Sequence, residues 1–264
     1  MESRRGDVLT LSAPLYLIPG WSFDGLVFDG LRARLPAARA AAVLELPGHG
    51  GPPSAGEQSG CREFPEPLSE EAARGAVWIG WSLGGTLALE QALRPGGAAL
   101  VMLAATPRFT SAPDWPHGVA PAELAAMRRA LKRNPEAVVG AFRRRLGAVS
   151  AADRRAVAGS GSATVDGLAA GLKVLAEADL RAALTGLQVP TLWIGGRLDP
   201  LVPPEALEEA AALAGREGGH EARGECRIID GAGHLPHVTH AGEVAAELKA
   251  FFIRHDLFEG GRCD

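Results

Sequence analysis

Short apolar runs alternate with helix-patterned segments along most of this chain, and that alternation restricts the fold more than any other feature. The runs are Leu15 to Ile18, Ala41 to Leu46, Ala76 to Ile79, Ala99 to Leu103, Thr191 to Ile194 and Cys226 to Ile229. Their length and continuous hydrophobicity suit strands buried on both faces, as in a parallel sheet. Between them, Gly84 to Leu93 stops before Pro95, Pro204 to Leu213 stops before a glycine, and Gly242 to Arg254 spaces Val244, Leu248, Phe251 and Phe252 along one helical face. Strand and helix in alternation predict an α/β layer architecture, a mostly parallel central sheet flanked by helices. With 264 residues, 47% apolar and 22% charged, the chain can bury a core of that size.

The rhythm breaks between about Phe109 and Gln188. No convincing strand occurs there, and helical spacing runs through Leu124, Met127 and Leu131, then Val138, Phe142 and Leu146. A helical insertion is expected, dividing the chain into a first core part (1–109), an inserted helical cap (110–188) and a second core part (189–264). Gly50 to Pro67, rich in Gly, Pro and Ser, reads as a long surface loop.

Composition excludes several functions. The net charge of -4 gives no basic field for nucleic acid, and no apolar stretch approaches the roughly 20 residues that span a bilayer. The first residues lack a continuous apolar signal segment, so a cytoplasmic protein is expected. Cys61, Cys226 and Cys263 have neither metal-like spacing nor an even number, which fits free thiols. The total charge conceals a local excess, because Pro121 to Ser160 carries nine basic residues against three acidic ones. Such a run is a solvated helix face or a basic surface that steers an acidic carrier or anionic substrate.

The most specific local signal is Gly80-Trp81-Ser82-Leu83-Gly84, a G-x-S-x-G directly after one apolar run and directly before a helical pattern. That is the context of a nucleophile elbow, in which small residues let a strained strand-to-helix turn project the serine hydroxyl. The alternative is an ordinary glycine-flanked turn serine. A serine nucleophile needs a base and a group to orient it. Asp199 follows the run Thr191 to Ile194 and is the candidate acid, although a turn role before Pro200 is also open. His234, after the last run and a glycine-containing turn, is the candidate base. His237 and His240 read as surface or supporting residues. The H-x-x-H-x-x-H spacing suggests a metal, but Pro236 interrupts the helix that would align it, and neither a metal nor a cofactor is expected. Negative charge building on an ester oxygen calls for the Leu83 amide and a second amide from "LIPGWSFDG", at Trp21. A purely structural aromatic is the other reading of Trp21.

Serine elbow, late aspartate, final histidine and helical insertion, in this order, resemble an α/β-hydrolase with a cap. The strings "GWSFDGLVFD", "LELPGHG", "GWSLGGTLALEQAL", "PRFTSAPDWPHG", "LDPLVP" and "GHLPHVTHAGEV" further resemble the pimeloyl-[acyl-carrier protein] methyl ester esterases of biotin synthesis, from about Leu15 to Phe252. The resemblance implies Ser82, Asp199 and His234 as catalytic triad, Trp21 and Leu83 beside the acyl carbonyl, and Phe142, Arg143, Arg144, Arg145 and Leu146 as residues facing substrate. It also implies a basic cap that receives the acidic acyl-carrier protein, with Arg128, Arg129, Arg133, Arg154 and Arg155 as candidates here; a monomer is expected. The chain departs from the family at Pro19, where a histidine is usual before the loop glycine, and at Ala137 and Ala141, where carrier-contacting arginines do not align. Carrier docking is then either retained through shifted contacts or lost. A general short-chain carboxylesterase, indifferent to carrier, is the alternative function, and a non-catalytic binding protein on this fold is a third.

Overall fold

The computed structural model describes residues 11–35, 38, 41–49, 69–146, 157–158, 163–216 and 224–258. Within them six strands, β1 (Leu15–Ile18), β2 (Ala42–Val43), β3 (Val77–Trp81), β4 (Ala99–Leu103), β5 (Thr191–Gly196) and β6 (Glu225–Ile229), form one sheet in the order β2-β1-β3-β4-β5-β6. Every pairing is parallel. In β3 and β4 every residue is buried, which explains why these segments are apolar throughout rather than alternating.

The helices are α1 (Asp29–Arg34), α2 (Glu70–Ala73), α3 (Leu83–Ala92), α4 (Pro121–Leu131), α5 (Pro135–Arg145), α6 (Val165–Glu177), α7 (Arg181–Leu184), α8 (Pro204–Leu213), α9 (Pro236–Thr239) and α10 (Ala241–Arg254). Local chemistry sets several of their starts. Proline occupies the first turn of α4, α5 and α8, where its missing N–H has no intrahelical role. The Asn134 side chain caps α5 by accepting from the Ala137 amide at 3.0 Å, and Thr164 caps α6 by accepting from Gly167 at 3.1 Å. Helix α10 turns Val244, Leu248, Phe251 and Phe252 inward, all fully buried, and each such side chain contributes about 1.5–3 kcal/mol.

The sequence pattern overshoots at Ala41 to Leu46, of which only Ala42–Val43 is strand. Among the described residues this is an edge strand with a single neighbour, and it leaves the sheet where the Glu45 carboxylate accepts from the Gly25 amide, at 2.9 and 3.1 Å through its two oxygens. Helices α4 to α7 stand between β4 and β5; helical spacing predicts α4 and α5, and α6 and α7 fall in the same strand-free stretch. Only isolated bridges, such as Thr110 with Val119, interrupt the helical region among the described residues. Helix α6 packs on both α4 and α3, while α7 packs on α8 of the core. No helix among the described residues is long and apolar enough to cross a membrane. The expected loop Gly50 to Pro67 lies outside the described residues, as do Arg154, Arg155, Cys61 and Cys263.

Candidate active site

The site lies at the carboxyl ends of β1, β3, β5 and β6, where open parallel sheets leave room for ligands. Chain direction reverses sharply between β3 and α3 at Ser82, which sits at φ 55° and ψ -118°. A non-glycine residue there is strained, and its neighbours show why it is tolerated. A Cβ on Gly80 would lie 2.2 Å from the Gly84 carbonyl oxygen, and one on Gly84 would lie 2.1 Å from that of Ile18. Only glycine lets strand, turn and helix approach so closely. The Ser82 amide donates to the Leu103 carbonyl at 3.0 Å, fixing the turn to β4.

Three buried side chains converge from separate segments. His234 Nε2 is 2.9 Å from Ser82 Oγ, and His234 Nδ1 is 2.8 Å from Asp199 Oδ2. The other Asp199 oxygen accepts from the Leu201 amide at 2.8 Å and the Val202 amide at 3.0 Å, so the carboxylate is held from both ends. The His234 carbonyl accepts from Trp81 Nε1 at 2.7 Å, which fixes the backbone carrying the imidazole. With the Nδ1 proton donated to Asp199, Nε2 is left to accept the serine proton, the tautomer that a general base requires. Ser82, Asp199 and His234 therefore stand together as the sequence places them.

Trp21 is buried and its indole Nε1 donates to the Leu168 carbonyl of α6 at 2.8 Å. Among the described residues, neither the Trp21 amide nor the Leu83 amide donates to a backbone carbonyl. Beside Ser82 opens a narrow apolar pocket, lined by Trp21, Phe109, Leu124, Met127, Phe142 and Leu172 among others, with Glu123 and Arg145 on its wall. The segment Phe142 to Leu146 thus divides. Phe142 and Arg145 line the pocket, Arg144 is exposed, Leu146 is buried away from the pocket, and Arg143 turns to the loop after Trp21. A helix rotates each successive side chain by about 100°, so five consecutive residues cannot all face one ligand. Arg128 and Arg129 on α4 and Arg133 just past its end are exposed and, with Lys132, Ala125 and Ala169, line a separate groove between α4 and α6.

Gly171 of α6 was not a sequence-level candidate. A Cβ there would lie 2.6 Å from His49 Nε2 and 2.9 Å from both Leu83 Cδ2 and Trp21 Cδ1, so its absence lets α6 rest on these three side chains. Small residues at Gly167 and Gly171, one turn apart, were the available signal. Among the described residues no group of three or more His, Cys, Asp or Glu side chains could hold a metal ion.

Of the two places that its sequence position leaves open, surface or supporting, His237 takes the supporting one. It is fully buried, with ring centroids 5.0 Å from Trp81 and 5.2 Å from Phe28, and both its ring nitrogens lack hydrogen-bond partners among the described residues. Pro236 opens the short helix α9, which turns the third residue after His234 inward. Burial, with His234 acting in the same direction, pushes the His237 pKa down to about 3, and burial pushes His49 down to about 4. Both imidazoles take protons near pH 6.5 once unfolded. The unfolded chain therefore binds more protons between about pH 6.5 and 3, and stability falls as pH drops through that window. His237→Phe keeps a ring against Trp81 and should gain about 2 kcal/mol on wild type at pH 5 beyond any difference at pH 7. Denaturant unfolding at the two pH values measures this, and an equal difference at both would contradict it.

The sequence profile of the alpha/beta hydrolase family matches residues 15–247. The chain belongs to the alpha/beta hydrolase family. Relatives within it bear out the narrower resemblance. The pimeloyl-[acyl-carrier protein] methyl ester esterase of Stenotrophomonas maltophilia (strain R551-3) is 37% identical, over 94% of this chain and 96% of that protein. Its namesake from Xanthomonas campestris pv. campestris (strain B100) is 35% identical, over 93% and 97%. The hydrolase fold is also that of an esterase from Exiguobacterium antarcticum, with TM-score 0.71 and 18% identity over 91% of this chain and 92% of that one. A bromoperoxidase from Bacillus anthracis gives TM-score 0.71 and 20% identity over 91% of both chains. An esterase and a bromoperoxidase so alike in backbone show that this fold alone does not choose the reaction.

Proposed function

We propose that this protein is a serine carboxylesterase that hydrolyses the methyl ester of pimeloyl-[acyl-carrier protein], giving pimeloyl-[acyl-carrier protein] and methanol in biotin synthesis. The observation that carries the chemistry is the Ser82–His234–Asp199 chain, with both hydrogen bonds below 3 Å. The choice of substrate rests on relatives at 35–37% identity that bear this activity in their names.

In this reading His234 Nε2 takes the Ser82 proton as Oγ attacks the methyl ester carbonyl. Oxyanion charge is met by the Trp21 and Leu83 amides, and Asp199 stabilises the imidazolium. Collapse breaks the bond to the methoxy oxygen, which leaves as methanol with the proton from His234. Water, deprotonated by His234, then attacks the acyl-serine, and the returning proton restores Ser82 while the carboxylate departs. The apolar pocket takes the methylene chain, with no cofactor involved.

The segment 110–188 acts as a helical cap on a core formed by 1–109 and 189–264. The acidic carrier docks on the cap through Arg128, Arg129 and Arg133, exposed around the groove between α4 and α6. Arg144 extends the exposed basic face, and Arg154 and Arg155 belong to the same charge cluster in sequence. The enzyme is read as a cytoplasmic monomer with the carrier protein as part of its substrate. Charged docking acts mainly on association. The value of kcat/KM on the carrier-linked ester should therefore fall steeply with salt, while that on free dimethyl pimelate changes little. Reversing Arg128, Arg129 and Arg133 to glutamate should lower kcat/KM for the carrier-linked ester at least about tenfold more than for dimethyl pimelate. Equal losses on both esters would remove the groove from the docking reading.

A further inference from the structure

One cap side chain reaches into the loop that carries the proposed Trp21 oxyanion donor. Arg143, on α5, points inward, unlike the exposed Arg144 after it. Its Nη2 donates to the Ser22 carbonyl, its Nη1 donates to the Ala158 carbonyl at 2.9 Å, and its guanidinium carbon lies 4.8 Å from the centre of the Phe23 ring. The preceding residue, Phe142, meets Trp21 edge-on, with ring centroids 4.9 Å apart. Two adjacent cap residues thus grip three consecutive residues of one core loop.

That loop is strained where Arg143 holds it. Gly20 to Phe23 form a turn closed by the Phe23 amide donating to the Gly20 carbonyl at 3.2 Å, and its third residue, Ser22, has φ 65°. A turn of this kind takes glycine at that position. Serine stands there instead, fully buried. Rotation of Ser22 to an ordinary negative φ would swing its carbonyl away from Arg143 and break the turn closure that brackets Trp21, whose N–H points toward the developing oxyanion in the proposed mechanism. A guanidinium suits the task because its planar fork can reach two carbonyls from different segments while stacking on a ring.

We propose that Arg143 is a positioning residue that clasps the cap to the oxyanion loop and holds the Trp21 amide in its donating orientation. Cap seating and oxyanion-hole assembly are then one event, rather than Arg143 being a contact for substrate or carrier. This rests on the serine esterase reading above.

The test uses a small carrier-free ester, p-nitrophenyl butyrate, with Arg143→Gln, Arg143→Lys and Arg143→Ala. Arg143→Gln should lower kcat about tenfold to a hundredfold, with KM within about twofold. Affinity for a trifluoromethyl ketone, which forms a tetrahedral oxyanion on the serine, should fall by the same factor. Added guanidinium should restore part of the Arg143→Ala rate, a rescue that general destabilisation would not give. If Arg143→Ala does not fold, Arg143→Lys carries the test, with a smaller loss of kcat matched by its loss of ketone affinity. A folded Arg143→Gln enzyme with unchanged kcat and ketone affinity would overturn the proposal, as would a loss confined to KM on the carrier-linked ester and abolished by salt. Full wild-type hydrolysis by Ser82→Ala would instead overturn the esterase reading itself.

Discussion

Replacing Ser82 with alanine is expected to lower ester hydrolysis by about four to six orders of magnitude, with the fold retained. The hydroxyl oxygen of the residue meets His234 at 2.9 Å, and the backbone turn is held independently by the Ser82 amide to Leu103. Alanine keeps that amide and adopts the same positive φ with a side chain no larger. What disappears is the nucleophile, and neither water nor a neighbouring hydroxyl can form the acyl-serine in its place. Stopped-flow or steady-state release of p-nitrophenol measures the rate, and labelling by a fluorophosphonate should vanish with it. A variant within tenfold of wild type would place the nucleophile elsewhere.

Asp199→Asn should lower kcat by about four orders of magnitude while leaving stability nearly unchanged. Asp199 uses one oxygen for the Leu201 and Val202 amides and the other for His234. An asparagine satisfies the two amides with its carbonyl oxygen, which turns its NH2 toward His234 Nδ1. A donor there makes Nδ1 the acceptor and moves the imidazole proton to Nε2, facing Ser82. The base is then blocked by its own proton, although every heavy atom keeps its place. Comparison of kcat with the thermal midpoint separates this from unfolding, since an unfolded variant would lose both.

The Ser82–His234–Asp199 cluster is legible because each member follows an apolar run, and the ends of parallel strands bring distant residues together: Ser82 and His234 are far apart in sequence but hydrogen-bonded in space. The strands of the sheet centre were legible for a related reason, since burial on both faces leaves uniformly apolar sequence at β3 and β4. Edge strand β2 was read too long because the same apolar residues serve the core after leaving the sheet, as Leu46 does. Sequence leaves His237 between a surface and a supporting place, because a polar residue three positions after His234 fits either, and the turn into α9 decides it by stacking the ring on Trp81. The apolar pocket draws Phe109 from the β4 end, Leu124 and Met127 from α4 and Leu172 from α6. No spacing within a single segment encodes that convergence, which follows from how α4 and α6 pack. Arg143 shows the same limit, because the basic run around it gives its charge and not its direction.

The most direct measurement of the central claim is a mass-spectrometric time course on pimeloyl-[acyl-carrier protein] methyl ester in 18O-enriched water, with wild-type and Ser82→Ala protein side by side. The account predicts that the wild type converts methyl ester to carboxylate, places one 18O in the new carboxylate and none in the methanol, and leaves the carrier thioester intact. Ser82→Ala should leave the substrate unchanged over the same period. Cleavage of the thioester, 18O in the methanol, or equal turnover by the alanine variant would contradict it.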